Sequence, residues 1–348
     1  MSFLIENQRV AAQRMSRLPH ELLRRLAGGE IRSPEGYLLD AQTQALLRLS
    51  DLLGHSDWSR LGVHKARAAM DSSCEILQPR PTGHLSIHDE VIRVPGGVIR
   101  ARVYRPDEPR GPLPIIVFYH GGGFVLGSLK SHDGECRHIA LGARALLVAV
   151  DYRLAPEHRF PTAVDDGLAA YRWIADKASS LGGDPSRMAV AGDSAGGNIA
   201  AVVARDLRGD PRQPVFQCLV YPAVELTRSF PSHQYFPKGF FLERPTIDWF
   251  LGSYLRSDAE QRDPRASPLL AGDHAGLPPA FIATAGFDPL RDEGRAYAKA
   301  LKEAGVRVED RCYEGLVHGF FSMSEGCAAA RVALDDIVAS LRAGLGTA

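Results

Sequence analysis

The chain of 348 residues carries no excess of either charge: 41 lysines and arginines balance 41 aspartates and glutamates. That balance gives no sequence-wide electrostatic reason to expect nucleic acid or an anionic membrane surface as partner. Cysteine is sparse. The five present (Cys74, Cys136, Cys218, Cys312 and Cys327) are odd in number and dispersed, with no CxxC pair. Neither a disulfide framework nor a metal site is expected from them, and a reducing, cytoplasmic setting fits best. Long apolar runs are also missing. The N-terminal stretch Phe3 to Ile5 gives way at once to Glu6, Asn7, Gln8 and Arg9, too short for the core of a signal peptide. Nowhere does an apolar run approach the roughly eighteen residues that spanning a bilayer takes, so stable membrane insertion is not expected. Internal repeats and low-complexity tracts are absent.

What remains is the composition of a globular protein, 45% hydrophobic and 24% charged, long enough for one large domain with an appendage or for two domains. Residues 1–80 read as helical. Leu39, Gln42, Ala45, Leu46, Leu49, Leu52 and Leu53 fall mostly on one face before Gly54 offers a C-cap. Val63, Ala66, Met70 and Leu77 repeat that spacing, so this part is expected to form a helical cap.

The pattern changes near Pro79. Ile87 to Val94 and Val98 to Tyr104 flank Pro95-Gly96-Gly97 as a hairpin, and short apolar runs follow at Ile115 to Tyr119, Ala145 to Val150, Met188 to Ala191, Phe216 to Val220, Phe281 to Thr284 and Val306 to Cys312. Helical stretches at Pro161 to Lys177, Ala195 to Leu207, Arg291 to Ala304 and Ala328 to Leu341 alternate with them. Such alternation predicts an α/β fold with a mostly parallel central sheet flanked by helices, over 81–348. From Pro222 to Pro268 no strand is expected, but Phe230, Tyr235, Phe236, Phe240, Phe241, Trp249, Phe250 and Tyr254 crowd together. This insertion is either local packing of extra helices or an apolar lid over a substrate pocket.

Gly192-Asp193-Ser194-Ala195-Gly196 fits G-x-S-x-G, directly after Met188 to Ala191 and before a small-residue helix. A serine on a strained strand-to-helix turn needs glycine neighbours and leaves its hydroxyl exposed above the sheet edge. Upstream, His120-Gly121-Gly122-Gly123 follows a strand. Its bare amides can converge on a developing negative oxygen; Gly122 and Gly123, with the N–H of Ala195 as third, are the candidate donors. A tight turn or a phosphate cradle is the alternative, although the lysine and Ser/Thr of a phosphate loop are missing.

A serine nucleophile needs a base, and the base needs a carboxylate. After the strand at Ala280 to Ala285 comes Asp288, and after the strand at Val306 to Tyr313 comes His318. The order Ser, Asp, His is that of α/β hydrolases. Asp292 and Glu293 compete for the acid role, but Pro289 suits the start of a helix that would carry them, leaving Asp288 in the preceding loop. Phe124, Leu126 and the aromatic insertion point to an apolar substrate pocket. Tyr152 to His158 reads as a supporting loop working through Arg153 and Glu157. Asp193 reads as an anchor for the serine turn or the glycine loop, and His120 as a loop-orienting residue.

HGGGF at 120–124, DYRLAPEHRFP at 151–161, GDSAGGN at 192–198, DPLRDE at 288–293 and HGF at 318–320 together resemble bacterial esterases of the hormone-sensitive-lipase family, an α/β-hydrolase group. The resemblance covers roughly residues 85 to 345. It implies Ser194, Asp288 and His318 as triad, Gly122, Gly123 and Ala195 as oxyanion donors, and a cap built from the N-terminal helices and the insertion at about 223–268. It further implies hydrolysis of short to medium acyl esters and frequent dimerisation. The expected reaction is ester hydrolysis through an acyl-enzyme, with no metal or organic cofactor. An amidase, thioesterase or acyltransferase on the same triad is the alternative, and a non-catalytic small-molecule receptor a more distant one.

Overall fold

In the computed structural model, which describes residues 2–52 and 58–347, four helices come first: α1 (Ser2–Ser16), α2 (His20–Leu26), α3 (Ala41–Leu52) and α4 (Val63–Leu77). Asp40 caps α3 by accepting the Thr43 N–H on its carboxylate at 2.9 Å. Leu39, Gln42, Ala45 and Leu46 of the expected apolar face are buried, but Leu52 is 69% exposed, so the stripe lapses in the last turn. Leu53 and Gly54 lie outside the described residues.

The hairpin pairs β1 (Leu85–Val94) with β2 (Gly97–Pro106) around a turn in which Gly96 takes a φ of +77°, a conformation glycine adopts freely. Then follow β3 (Leu113–Tyr119), α5 (Asp133–Ala143), β4 (Leu146–Asp151), α6 (Thr162–Lys177), β5 (Gly183–Asp193), α7 (Ala195–Asp206) and β6 (Phe216–Val220). Two helices, α8 (Ser232–Tyr235) and α9 (Arg244–Tyr254), occupy the stretch expected to lack strands. β7 (Ala280–Phe287), α10 (Arg291–Glu303), β8 (Val308–Val317) and α11 (Ala328–Leu345) complete the described chain.

Among the described residues, eight strands form one sheet in the order β1-β2-β4-β3-β5-β6-β7-β8. The pairs β1–β2 and β2–β4 are antiparallel and the rest parallel. Every residue of β3, β6 and β7 is buried, as parallel strands covered on both faces require. The period-two alternation of strand side chains divides the core. Ile115, Val117 and Tyr119 pack on the face covered by α6, α7 and α10, whereas Ile116 and Phe118 face α5 and α11.

Two sequence expectations are corrected. β8 starts later than Val306 and runs past Tyr313 to Val317, so His318 follows the strand directly. The crossover α5 is not among the helices read from the sequence, though parallel β3 and β4 demand a connection of this kind.

The N-terminal helices are bolted to this body by directed hydrogen bonds. The Asp40 N–H donates to the Gly315 carbonyl at 2.9 Å, and Gln42 accepts the Ala328 N–H at 2.8 Å. On α4, Arg67 donates to the carbonyls of Val125 and Ala155, both at 2.9 Å, and to the Glu157 carboxylate at 2.7 Å. Arg153 instead forks onto the buried Asp166 carboxylate and reaches the hairpin carbonyls of Pro95 and Gly96. The loop from 151 to 161 therefore ties hairpin, sheet and α4 together. Among the described residues no helix is long and apolar enough to cross a membrane.

Candidate active site

Ser194 sits between the end of β5 and the start of α7 with φ 54° and ψ −118°. This is a positive-φ conformation that a non-glycine residue adopts only when its surroundings impose it. The surroundings leave no alternative. A Cβ on Gly196 would lie 1.9 Å from the Tyr119 carbonyl oxygen, and one on Gly192 would lie 2.4 Å from the Gly196 backbone. The serine N–H is held by the Val220 carbonyl at 2.9 Å.

Three side chains from separate strand ends converge here. Ser194 Oγ lies 3.0 Å from His318 Nε2, and His318 Nδ1 lies 2.9 Å from Asp288 Oδ2. The other Asp288 oxygen accepts the Leu290 N–H at 2.8 Å. Asp288 is fully buried and His318 is buried, with the Tyr221 ring 4.4 Å away centroid to centroid.

The glycine loop lies opposite. Gly122 and Gly123 take positive φ, and a Cβ on Gly123 would penetrate the Phe250 ring at 2.2 Å. Gly122 turns the chain by accepting the N–H groups of Val125 and Leu126 on its carbonyl. Ala195 opens α7, so its N–H is one of the first-turn donors that lack an intrahelical acceptor. His120 contacts this loop: its Nδ1 is 2.8 Å from the Gly121 carbonyl, and its own carbonyl accepts the Tyr152 hydroxyl at 2.7 Å.

These groups open on one cavity of about 420 Å³. Ser194, His318, Gly122, Gly123 and Ala195 line it, with Asp193 and His132 among its other polar residues, and Phe124 and Leu126 contribute apolar wall. Phe124 is held by stacking on Tyr254 at 3.9 Å. The aromatic side chains of the insertion divide between the body and the cavity. Phe236 and Phe240 pack on Phe287 at 5.6 and 5.5 Å, whereas Phe241, Ile247 and Phe250 line the cavity. Among the described residues no cluster of three or more His, Cys, Asp or Glu is arranged to hold a metal ion.

A family model described as alpha/beta hydrolase fold matches residues 116–322. A Mycobacterium tuberculosis protein named carboxylic ester hydrolase LipN is 42% identical over 336 residues, 94% of this chain and 89% of its own. The M. tuberculosis carboxylesterase NlhH is 47% identical over 253 residues, 71% of this chain and 79% of its own. Among solved structures, an α/β hydrolase enzyme from the metagenome of Lake Arreo, Spain, superposes with a TM-score of 0.85 at 43% identity, covering 88% of this chain and 99% of that one. The chain belongs to the α/β-hydrolase family, in its hormone-sensitive-lipase branch.

Within this hydrolase the rival acids are engaged elsewhere. Asp292 accepts the Ser232 N–H at 3.0 Å and an Arg291 N–H at 2.8 Å. Glu293 accepts the N–H groups of Val224 and Glu225 on one oxygen and faces His233 Nε2 at 3.1 Å with the other. Burial pushes the Glu293 carboxyl up to about 7, against the pull of His233.

Sequence reasoning missed two features of the hydrolase site. One is which side chains of the expected N-terminal helical cap reach the cavity, where Gln8, Leu46, Trp58, Met70 and Leu77 line it. No local signal marks these residues, because their apolar spacing is that of any packed helix. The other is His132, which lies 3.2 Å from Asp193 behind the glycine loop. Its place just before α5 was findable: Cys136, Ile139, Ala140 and Ala143 repeat at helical spacing between two predicted strands.

Proposed function

We propose that this carboxylic ester hydrolase is a serine esterase acting on short- to medium-chain acyl esters through an acyl-enzyme. His318 Nε2 takes the proton of Ser194 Oγ as that oxygen attacks the ester carbonyl carbon. Asp288 keeps the ring proton on Nδ1 and stabilises the imidazolium. The N–H groups of Gly122, Gly123 and Ala195 stabilise the oxyanion. The C–O bond to the alcohol then breaks, and the alcohol leaves with the proton from His318. Water, deprotonated by the same imidazole, attacks the acyl-serine and releases the acid. Helices of residues 1–80 together with the segment at about 223–268 act as a cap whose apolar side chains receive the substrate's hydrocarbon part.

The reading rests on one observation above all: the 3.0 Å and 2.9 Å contacts that string Ser194, His318 and Asp288 together at the edge of a largely apolar cavity. Its test is Ser194→Ala assayed on p-nitrophenyl butyrate, with the fold checked by circular dichroism. Turnover should fall by about six orders of magnitude, as when a serine nucleophile is removed elsewhere, and a folded variant keeping more than about 1% of kcat would overturn the reading.

A further inference from the structure

A charge pair is buried directly behind the glycine loop. Asp193 Oδ1 accepts the Gly121 N–H at 2.8 Å and lies 3.2 Å from His132 Nε2, and its other oxygen accepts the Tyr221 hydroxyl at 3.4 Å. Asp193 and His132 are 5% and 2% exposed. The imidazole is fixed from its far side by Ser131 Oγ, 2.8 Å from Nδ1. The approach of carboxylate to backbone is so close that a Cβ on Gly121 would lie 2.3 Å from Asp193 Oδ2. Burial alone would push the Asp193 carboxyl up, but the His132 charge and the Gly121 amide outweigh it and hold it below its usual range. Burial would likewise push His132 down, but the same carboxylate holds it above its usual value. Each group thus favours the charged form of the other across the 3.2 Å contact.

We propose that Asp193 is a positioning residue for ester hydrolysis: it aims the glycine loop by holding the Gly121 amide, and His132 neutralises it so that its charge does not oppose the oxyanion. The inference rests on the function proposed above. A peptide plane pinned at Gly121 constrains where the next two amides point, and preorganised donors are what stabilise a developing oxyanion. A carboxylate so near that oxyanion would repel it through a medium of low dielectric, unless a cation at hydrogen-bond distance cancels the charge. The pair thus supplies an acceptor for the loop without a net negative field.

The test measures kcat and KM on p-nitrophenyl butyrate for D193A, D193N, H132Q and the double variant H132Q/D193N. D193A, which frees the loop, should lower kcat about 100-fold, the scale of losing an oxyanion donor, and leave KM within about threefold. In D193N the side-chain carbonyl would still accept the Gly121 N–H, so that variant should lose about tenfold or less. H132Q leaves the carboxylate uncompensated and should lower kcat by about tenfold or more, and adding D193N should restore most of that loss. A purely structural role predicts that the two substitutions add instead. The inference is overturned if D193A keeps kcat within about threefold, or if the double variant is slower than H132Q. Should D193A not fold, the two conservative substitutions decide alone. An active Ser194→Ala would sink the proposed function itself, whereas an inactive Ser194→Ala beside an unimpaired D193A would sink this inference only.

Discussion

Asp288 meets His318 with one carboxylate oxygen, at 2.9 Å from Nδ1, and spends the other on the Leu290 N–H at 2.8 Å. Both oxygens are engaged, so the carboxylate cannot turn and the imidazole it faces is held in one orientation. Asp288→Asn would preserve the shape but can present an N–H to Nδ1, selecting the tautomer in which Nε2 carries the proton. The expected loss in kcat on p-nitrophenyl butyrate is about 10⁴-fold with little change in KM. A loss under about tenfold would show that Asp288 does not govern the base.

Gly196 permits the serine turn because nothing larger fits beneath Tyr119. Gly196→Ala would place a methyl carbon 1.9 Å from a carbonyl oxygen that belongs to the central strand and cannot move aside. The variant should be destabilised by about 3 kcal/mol or more, read as a shifted urea midpoint, and inactive where folded. Full activity at unchanged midpoint would contradict the packing described.

Phe250 stands between the glycine loop and the apolar part of the cavity. Phe250→Ala should open that wall and move acyl preference towards longer chains. The ratio of kcat/KM for p-nitrophenyl octanoate over butyrate should rise by about tenfold, the scale on which pockets discriminate methylenes. An unchanged ratio would place the acyl chain against another wall.

Glu135, in the first turn of α5, is wholly buried, and burial pushes its carboxyl up to about 7 from 4.5. Folding therefore binds this proton more tightly than the unfolded chain does. The resulting stabilisation is fully present below about 4.5 and fades as pH rises through 7. Glu135→Gln has no proton to lose. Thermal unfolding followed from pH 5 to pH 8 should show the wild type losing more stability than the variant, by about 1 kcal/mol or more. Parallel curves for the two proteins would contradict the buried, proton-linked state of Glu135.

The sequence made local backbone chemistry legible. The strained turn at Ser194 and the tight path at Gly122 and Gly123 need glycine within one or two residues, so the requirement is written in neighbouring letters. Strand and helix alternation was readable for the same reason, since periodicity is a property of consecutive side chains. The lapse of the α3 stripe at Leu52 was not readable, because exposure there depends on where packing against the body ends.

Partner choice over long separations belonged to the tertiary structure. Asp288, Asp292 and Glu293 lie within six residues of one another, and only the parallel register of β7 and β8 decides that Asp288 faces His318 while α10 carries the other two towards Ser232, Arg291, Val224, Glu225 and His233. The N-terminal helices became cavity wall, and His132 came to rest on Asp193, through contacts between segments far apart in the chain. The sequence by itself determined which turns the backbone could make, because backbone sterics act over adjacent residues. The fold alone decided which side chains meet across them, because burial and hydrogen bonding are satisfied by whatever the packed sheet and helices bring within reach.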